Sequence, residues 1–179
     1  ILAISGSYGK TIVKEWIFHF TKSTYNVIRS PKSYNSKLGV ALSVLMLTDK
    51  HELGIFELGI SEPGEMDVLK SMTQPTHVII TNISTAHIEN FENKSQLVKE
   101  KEKLIIKNNT IYYKKGDIPA WQKKIVEEGQ QITIESNGKK RTFTIPFKDE
   151  ISAYNFTHCL AFLDIINVKE EKKYIFVKN

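Results

Sequence analysis

The feature that most constrains this fold is the opening of the chain, where a short apolar run leads into a glycine-rich loop and then a helix. Residues 1–4 are apolar, residues 5–11 read Ser-Gly-Ser-Tyr-Gly-Lys-Thr, and apolar side chains recur at helical spacing over residues 12–20. Gly6 and Gly9 leave the backbone free to turn its N–H groups toward an anion. This order of strand, loop and helix predicts a phosphate-binding loop.

The loop departs from the usual P-loop, because only Ser7 and Tyr8 separate its two glycines where that pattern has four residues. An ordinary turn is therefore the alternative interpretation of this cluster. In the phosphate-binding interpretation, the loop amides and the Lys10 ammonium group hold phosphates, and the Thr11 hydroxyl binds a metal ion. The predicted nucleotide-binding residues of the loop are Gly6, Ser7, Tyr8, Gly9, Lys10 and Thr11.

The first part of the chain alternates between apolar strand-like runs and amphipathic helical stretches. Further strands are predicted over residues 25–28, 53–58, 77–82 and 110–113, and further helices over residues 38–47, 65–72 and 94–107. This alternation predicts an α/β fold with a mostly parallel sheet and helices on both faces. Ligands of such a sheet gather at the carboxyl ends of its strands.

The second part of the chain changes character. It contains a predicted helix over residues 120–128, a predicted hairpin of residues 130–135 and 141–146 closed by Asn137-Gly138, and a predicted final helix over residues 155–166. We place the small hairpin at the sheet edge, away from the chemistry. We expect residues 1–168 to form one domain, with residues 169–179 a linker or the start of another domain. A chain that opens inside a core strand without methionine is expected to be part of a longer protein.

Composition restricts the classes of partner and the compartment. The chain has 179 residues, a formal charge of +5 and a single cysteine, Cys159. The charge suits acidic ligands such as nucleotides, but lysines are scattered among glutamates, so no nucleic-acid partner is predicted. With no transmembrane-length apolar run, no signal peptide and no internal disulfide, we expect a cytoplasmic protein without a membrane partner.

One residue at a predicted strand end and one shortly after another strand could complete a site around the loop. Glu57 ends an apolar strand, where a carboxylate can hold Mg²⁺, although a strand-end glutamate can equally be solvated. His87 follows the strand over residues 77–82 in a loop that should open on the same edge of the sheet. A metal or phosphate role for His87 is therefore predicted beside the alternative of a surface histidine.

The lysine-rich helix over residues 94–107 contains one inward-facing lysine. Lys101 shares a helical face with Leu97 and Leu104, whereas Lys103 lies on the face of the other lysines. Because a buried ammonium group is costly, such a lysine has a carboxylate partner, reaches solvent or is chemically modified. The helical pattern leaves these three alternatives open.

Together these motifs resemble the Mur ligase family over most of the chain. The segments that carry the resemblance are Gly6–Thr11, Ser33–Val40, Phe56–Gly59, Thr81–His87 and Ala153–Asn155. The resemblance implies the P-loop NTPase-like central domain of an ATP-dependent amide ligase that works through an acyl phosphate. It also implies domains before and after this one, which grip a UDP-sugar and close over ATP, so this segment alone should have little or no ligase activity.

The resemblance also implies a role for individual residues. The implied catalytic residues are Lys10, His87 and Lys101, and the implied ligands of Mg²⁺ are Thr11, Glu57, His87 and Lys101. Asn82 and Asn155 are implied to contact the nucleotide, and Ser33, Asn35 and Ser36 are implied to bind substrate. The resemblance further implies that Lys101 is carbamylated by CO₂, which turns a cation into an anionic metal ligand. The family often has Lys-Gly-Glu where this chain has Lys-Glu-Lys, so Lys103 is a second candidate. Ser36 stands where an asparagine is common in the family, which is a second departure from the pattern of its substrate loop.

Within the family the sequence most resembles the ligase that adds D-alanyl-D-alanine to UDP-N-acetylmuramoyl-tripeptide. These two molecules are therefore the implied partners. Residues 30–36 resemble the same segment in a subset of these ligases that is fused to an alanine racemase. One alternative is another Mur-type amino-acid ligase. The other, from a different class, is a nucleotide-binding module that has lost catalysis and needs no modified lysine.

Overall fold

The chain forms one parallel and one antiparallel sheet, with helices packed around the parallel one. The computed structural model describes residues 1–84, 88–112, 121–136 and 139–168. In chain order the elements are β1 (Leu2–Ser5), α1 (Lys10–Thr21), β2 (Val27–Arg29), α2 (Lys37–Val44), β3 (Leu53–Glu57), α3 (Glu65–Thr73), β4 (His77–Ile80), a 3₁₀ turn (Ile88–Asn90), α4 (Lys94–Glu102), β5 (Thr110–Ile111), β6 (Trp121–Val126), β7 (Gly129–Ser136), β8 (Lys139–Ile145) and α5 (Glu150–Ile165).

The parallel sheet confirms the predicted α/β architecture. Its five strands lie in the order β2-β3-β1-β4-β5, and all four neighbouring pairs are parallel. Successive side chains of a strand point to opposite faces, and both faces of such a sheet are buried. Leu2 and Ile4 of β1 accordingly enter one hydrophobic core while Ala3 enters the other.

The two cores place the helices on opposite faces of the parallel sheet. Buried side chains of α1 and α5 share one core, in which the Trp16 and Phe156 rings meet edge to face at 5.9 Å. Buried side chains of α2, α3 and α4 share the other core, through Val40, Leu69 and Leu97. The predicted placement of helices on both faces is therefore confirmed.

The second part of the chain departs from the sequence-based prediction. The predicted hairpin is confirmed as β7 and β8, but the predicted helix over residues 120–128 is wrong, because residues 121–126 form strand β6 paired with β7. The hairpin also belongs to its own three-stranded sheet in the order β6-β7-β8 rather than to the edge of the parallel sheet. Its buried side chains, Ile132, Ile134, Phe143 and Ile145, pack in the core that contains α1 and α5. The predicted turn at Asn137-Gly138 and the predicted linker over 169–179 lie outside the described residues.

Helix boundaries also differ from prediction: α2 ends at Val44 rather than at residue 47, and larger differences occur in α4 and α5. Helix α4 ends at Glu102, because the Leu104 and Ile105 N–H groups bond to carbonyl oxygens three residues back, at 3.3 Å and 2.9 Å, instead of four residues back. Helix α5 begins at Glu150 because Asp149 caps it, its Oδ1 accepting the Ser152 N–H at 2.7 Å.

Among the described helices, none combines the length and apolar character needed to span a bilayer.

Candidate functional site

The glycine-rich loop connects β1 to α1 and requires both of its glycines. Gly6 has a φ of 140° and Gly9 a φ of 83°. A Cβ atom on Gly6 would lie 2.1 Å from Thr81 Oγ1, and one on Gly9 would lie 2.5 Å from the side-chain amide of Asn155. The backbone of this loop is therefore packed directly against its neighbours, in conformations that other residues rarely adopt.

The loop ends at the N-terminus of α1, which suits an anion. Gly9 is the N-cap residue, and among the described side chains none caps this terminus and none in the first turn is acidic. The first-turn N–H groups of a helix have no intrahelical partner, and the helix dipole places partial positive charge there. Loop and helix together thus offer the geometry expected for binding phosphate.

Residues after β4 hold the loop in shape. The carbonyl oxygen of Asn82 accepts the Ser7 N–H at 2.9 Å, and its side-chain Oδ1 accepts the Tyr8 N–H at 3.0 Å. The Thr81 hydroxyl donates to the Tyr8 carbonyl oxygen at 2.6 Å. Asn82, which we predict to contact nucleotide, therefore lies beside the loop and supports it.

Glu57 is a buried carboxylate at the carboxyl end of β3, held by two different segments. It is 1 % exposed; its Oε2 accepts the Thr11 hydroxyl at 2.8 Å and its Oε1 accepts the Asn35 side-chain amide at 2.7 Å. The Lys10 ammonium group donates to the Gly6 carbonyl oxygen at 2.9 Å. Burial lowers the pKa of Lys10, an effect that the negative charge of Glu57 partly offsets.

Lys101 is the inward lysine of α4 in the structure as well as in the sequence pattern. Its side chain is 2 % exposed, and its Nζ donates to the Ser7 hydroxyl of the glycine-rich loop at 2.9 Å. Burial lowers the pKa of Lys101 to about 8, and the nearby Lys10 cation acts in the same direction. Lys103 instead forms ion pairs with Asp67 at 2.6 Å and Glu100 at 2.8 Å.

Glu100 orients α4 and was missed by the sequence reasoning. Its Oε1 accepts the backbone N–H groups of Gly64 at 2.8 Å and Met66 at 3.1 Å, at the N-terminus of α3. The available signal was spacing, because Glu100 lies three residues after Leu97 and four before Leu104 on the buried stripe. This contact holds α4 against α3 with Lys101 directed toward the loop.

Two cavities lie around these groups and share Lys10 and Asn35. The larger, of ≈ 450 Å³, is lined by residues 7–12 with Ser33, Asn35 and Glu57. The smaller, of ≈ 140 Å³, is lined by Gly6, Lys10, Asn35, Ser36, residues 59–61, Glu65 and Lys101. Among the described residues, the predicted metal ligands Thr11, Glu57 and Lys101 therefore converge with the phosphate and substrate residues at one edge of the parallel sheet.

Asn155 does not line either cavity. Asn155 is 3 % exposed and packs against Gly9 from the α5 side, so it lies behind the loop in this structure. His87 lies outside the described residues. The predicted roles of both residues stay predictions.

The family model of the Mur ligase middle domain matches residues 4–171, nearly the whole chain. The chain belongs to the Mur ligase family. The glycine-rich loop, Glu57 and Lys101 all lie within the matched residues.

Relatives and solved structures agree with this family membership. The chain is 40 % identical over 111 residues to a UDP-N-acetylmuramoyl-tripeptide--D-alanyl-D-alanine ligase of Borreliella burgdorferi, covering 62 % of this chain and 24 % of that protein. It is similar in fold to MurF from Acinetobacter baumannii, with a TM-score of 0.83, 21 % identity, and coverage of 93 % of this chain and 43 % of that one. It also resembles MurF ligase from Thermotoga maritima in complex with ADP, with a TM-score of 0.80, 19 % identity, and coverage of 95 % and 46 %. The chain thus spans about a quarter of that ligase relative and under half of those solved chains.

The donor set of this Mur ligase middle domain fits magnesium bound to a nucleotide. Within the described ranges, no three His, Cys, Asp or Glu side chains cluster as a metal cage. Mg²⁺ instead favours one or two carboxylates together with substrate phosphates and water. Glu57 and the Thr11 hydroxyl, on the wall of the larger cavity, supply this kind of donor.

Proposed function

We propose that this chain is the ATP-binding part of an enzyme that joins D-alanyl-D-alanine to UDP-N-acetylmuramoyl-tripeptide. The observation that carries the proposal is Glu57, which contacts Thr11 of the phosphate loop on one oxygen and Asn35 of the predicted substrate loop on the other. One carboxylate thus joins the elements assigned to the two reactants. The ligase name of the Borreliella burgdorferi relative supports the choice of substrates.

In this proposal the phosphate loop binds ATP. The first-turn amides of α1 and the Lys10 ammonium group hold the terminal phosphates, in the larger cavity that residues 7–12 line. Thr11 and Glu57 hold Mg²⁺, which supplies neutralisation of the negative charge on the phosphates. The ADP bound to the Thermotoga maritima relative supports a nucleotide at this loop.

The reaction is the transfer of the γ-phosphoryl group to the free carboxylate of the tripeptide, which releases ADP. The amine of D-alanyl-D-alanine then attacks the resulting acyl phosphate, phosphate leaves, the amine loses a proton and an amide bond remains. Ser33, Asn35 and Ser36 line the cavities beside Lys10 and orient the carboxylate. Most of the acceleration comes from positioning and from charge stabilisation by these side chains.

We assign Lys101 as the carbamylated lysine. The neutral amine is the form that reacts with CO₂, and a pKa of about 8 leaves about a tenth of Lys101 neutral at pH 7. The carbamate would sit in the smaller cavity beside Lys10, where its negative charge has a cationic neighbour. His87 is proposed as a further metal ligand, and Asn82 and Asn155 as residues of the nucleotide side.

The proposal is tested with the full-length protein, supplied with Mg·ATP, UDP-N-acetylmuramoyl-tripeptide and D-alanyl-D-alanine. We expect ADP release and a product whose mass equals the two substrates minus water. Omission of D-alanyl-D-alanine should abolish the amide product and sustained ADP release, leaving at most one ADP per enzyme from formation of the acyl phosphate. Product with a single amino acid in place of the dipeptide would indicate another Mur-type ligase. Binding of Mg·ATP with no product from any acceptor would indicate an inactive nucleotide-binding module and contradict the proposal.

A further inference from the structure

Lys14 is a completely buried cation for which the predicted reaction has no role. It lies on α1 one turn after Lys10, and its side chain is 0 % exposed. Burying a charge is costly unless the group is paired and hydrogen-bonded. Its contacts therefore indicate what this lysine stabilises.

The Lys14 ammonium group connects three segments that are distant in the sequence. Its Nζ donates to the Ser30 carbonyl oxygen at 2.9 Å and to the carbonyl oxygen of Lys32. Carboxylate oxygens of Glu15 and Glu57 lie 3.4 Å and 3.8 Å away. One side chain thus contacts α1, the start of residues 30–36 and the end of β3.

Residues 30–36, here called the substrate loop, have a backbone that needs such support. Lys32 has a left-handed φ of 45°, which non-glycine residues seldom adopt. The turn closes with a bond from the Tyr34 N–H to the Pro31 carbonyl oxygen at 3.0 Å. The Asn35 carbonyl oxygen then accepts the Gly59 N–H at 2.8 Å, which docks the loop beside Glu57.

We propose that Lys14 is a positioning residue that holds the substrate loop, and through Asn35 also orients Glu57. The inference rests on the proposed function, which assigns this loop to the acceptor substrate. Lys14 anchors the carbonyl oxygens of Ser30 and Lys32, and the turn that follows delivers the Asn35 amide to Glu57 Oε1 at 2.7 Å. Lys14 is not a catalytic residue, since it lines neither cavity of the site and its Nζ donates to backbone carbonyl oxygens.

A simple counter-ion role for Lys14 makes a different prediction. Glu57 already accepts bonds from Thr11 and Asn35 that are shorter than its 3.8 Å separation from Lys14. If Lys14 only balanced the charge of Glu57, its neutralisation would leave the substrate loop in place. If Lys14 positions the loop, its neutralisation should loosen the substrate loop more than the neighbouring sheet.

Amide hydrogen exchange of Lys14→Met separates these roles. The Tyr34 N–H reports the turn, the Gly59 N–H reports docking of the loop, and the Leu58 N–H, bonded to Ile4, is an internal reference in the sheet. We expect exchange about tenfold faster at Tyr34 and Gly59, with Leu58 changed less than about twofold. Unchanged exchange at Tyr34 and Gly59, or equal acceleration at all three amides, would overturn the proposal.

Lys22→Met is the matched control, because it removes an exposed lysine from the C-terminal end of the same helix. It should leave all three amides unchanged. Lys14→Arg, which keeps the charge and the donors, should restore part of the protection. If Lys14→Met does not fold, Lys14→Gln keeps an amide donor without the charge and takes its place, with the same expected order of amides.

Kinetics of the full-length protein add a readout that general destabilisation would not move. In Lys14→Met the KM for UDP-N-acetylmuramoyl-tripeptide should rise about tenfold, while the Kd of Mg·ADP changes less than about threefold, because the phosphate loop keeps its own contacts. Equal changes in both would contradict positioning of the substrate loop. Amide exchange does not require turnover, so loop loosening in a protein that makes no product would sink the proposed function and leave the role of Lys14 standing.

Discussion

The two sheets of this molecule use their strand ends in different ways. In the parallel sheet, β1 runs into the glycine-rich loop, β3 ends in Glu57, and Thr81 and Asn82 follow β4. In the antiparallel sheet, described side chains such as those of Ile132 and Phe143 instead pack in the hydrophobic core. Among the described residues of β6, β7 and β8, none lines either cavity of the site.

Strand direction explains this difference. Parallel strands all end at the same edge, so polar residues that follow each strand converge although they are far apart in the sequence. Neighbouring antiparallel strands end at opposite edges, which disperses such residues. The parallel sheet therefore forms the site, and the antiparallel sheet contributes packing against α1 and α5.

The largest effect is expected for Lys10→Met at the parallel-sheet edge. Removing the ammonium group that the proposal places beside the phosphates should lower kcat/KM for ATP by about 10³. The reason is the loss of a preorganised positive charge that stabilises the phosphoryl group during transfer. Initial rates of ADP release by the full-length protein measure this, with Lys22→Met as control. A loss below about tenfold would mean that the loop does not act on the transferred phosphate.

A core substitution in the antiparallel sheet should affect stability instead. Phe143 of β8 packs edge to face on Phe156 of α5 at 5.3 Å and is 7 % exposed. Phe143→Ala should lower the free energy of unfolding by about 3 kcal/mol. Urea denaturation measures the change, and calorimetry at 25 °C should show the Kd of Mg·ADP altered less than about twofold. A large change in Kd for the folded variant would show that the two sheets are not functionally separate.

The site should respond to pH through Lys101. With a pKa lowered to about 8 by burial, its neutral fraction rises from about 3 % at pH 6.5 to about half at pH 8, so carbamate formation rises over that range. Hydrogen bonds to Asp67 and Glu100 raise the pKa of Lys103, so Lys103 stays protonated there and should not react.

Carbon-13 NMR in labelled bicarbonate measures this modification. The carbamate signal should disappear in Lys101→Arg and persist in Lys103→Met. The opposite result would transfer the modification to Lys103. Absence of any signal in the parent protein would contradict a carbamylated lysine altogether.

The smallest effect is expected at the surface of the antiparallel sheet. Arg141 of β8 forms a partly exposed ion pair with Asp164 of α5, with Nη2 to Oδ2 at 2.7 Å. Arg141→Ala should cost about 0.5 kcal/mol in unfolding free energy, because solvent screens such pairs. Thermal unfolding at low and high salt measures this. A cost several times larger that disappears at high salt would show that the pair ties the sheet to α5.

Much of the parallel sheet and part of the site could be predicted from local sequence. Short continuous apolar runs indicated β1, β3 and β4, Glu57 stood at the end of such a run, and helical spacing indicated that Lys101 faces inward. These properties depend on residues within one or two turns, so short windows contain the information.

Residues 121–126 could not be predicted in the same way. Trp121 and Ile125 are four residues apart, a spacing compatible with a helix, yet this segment is strand β6. Pairing with β7, from Trp121 opposite Ile134 to Val126 opposite Gly129, decides the outcome. Such cross-strand partners are a tertiary property that overrides weak local preference.

The sequence by itself determined the glycine-rich loop, the strand-end carboxylate and the inward face of α4, because each depends on near-neighbour spacing and on the conformations open to glycine. Only the tertiary structure decided that Lys101 meets Ser7 across 94 residues and that Lys14 holds the carbonyl oxygens of Ser30 and Lys32. The physical reason is that a buried cation is stable only beside particular oxygen atoms, and the packing of distant segments decides which oxygens those are.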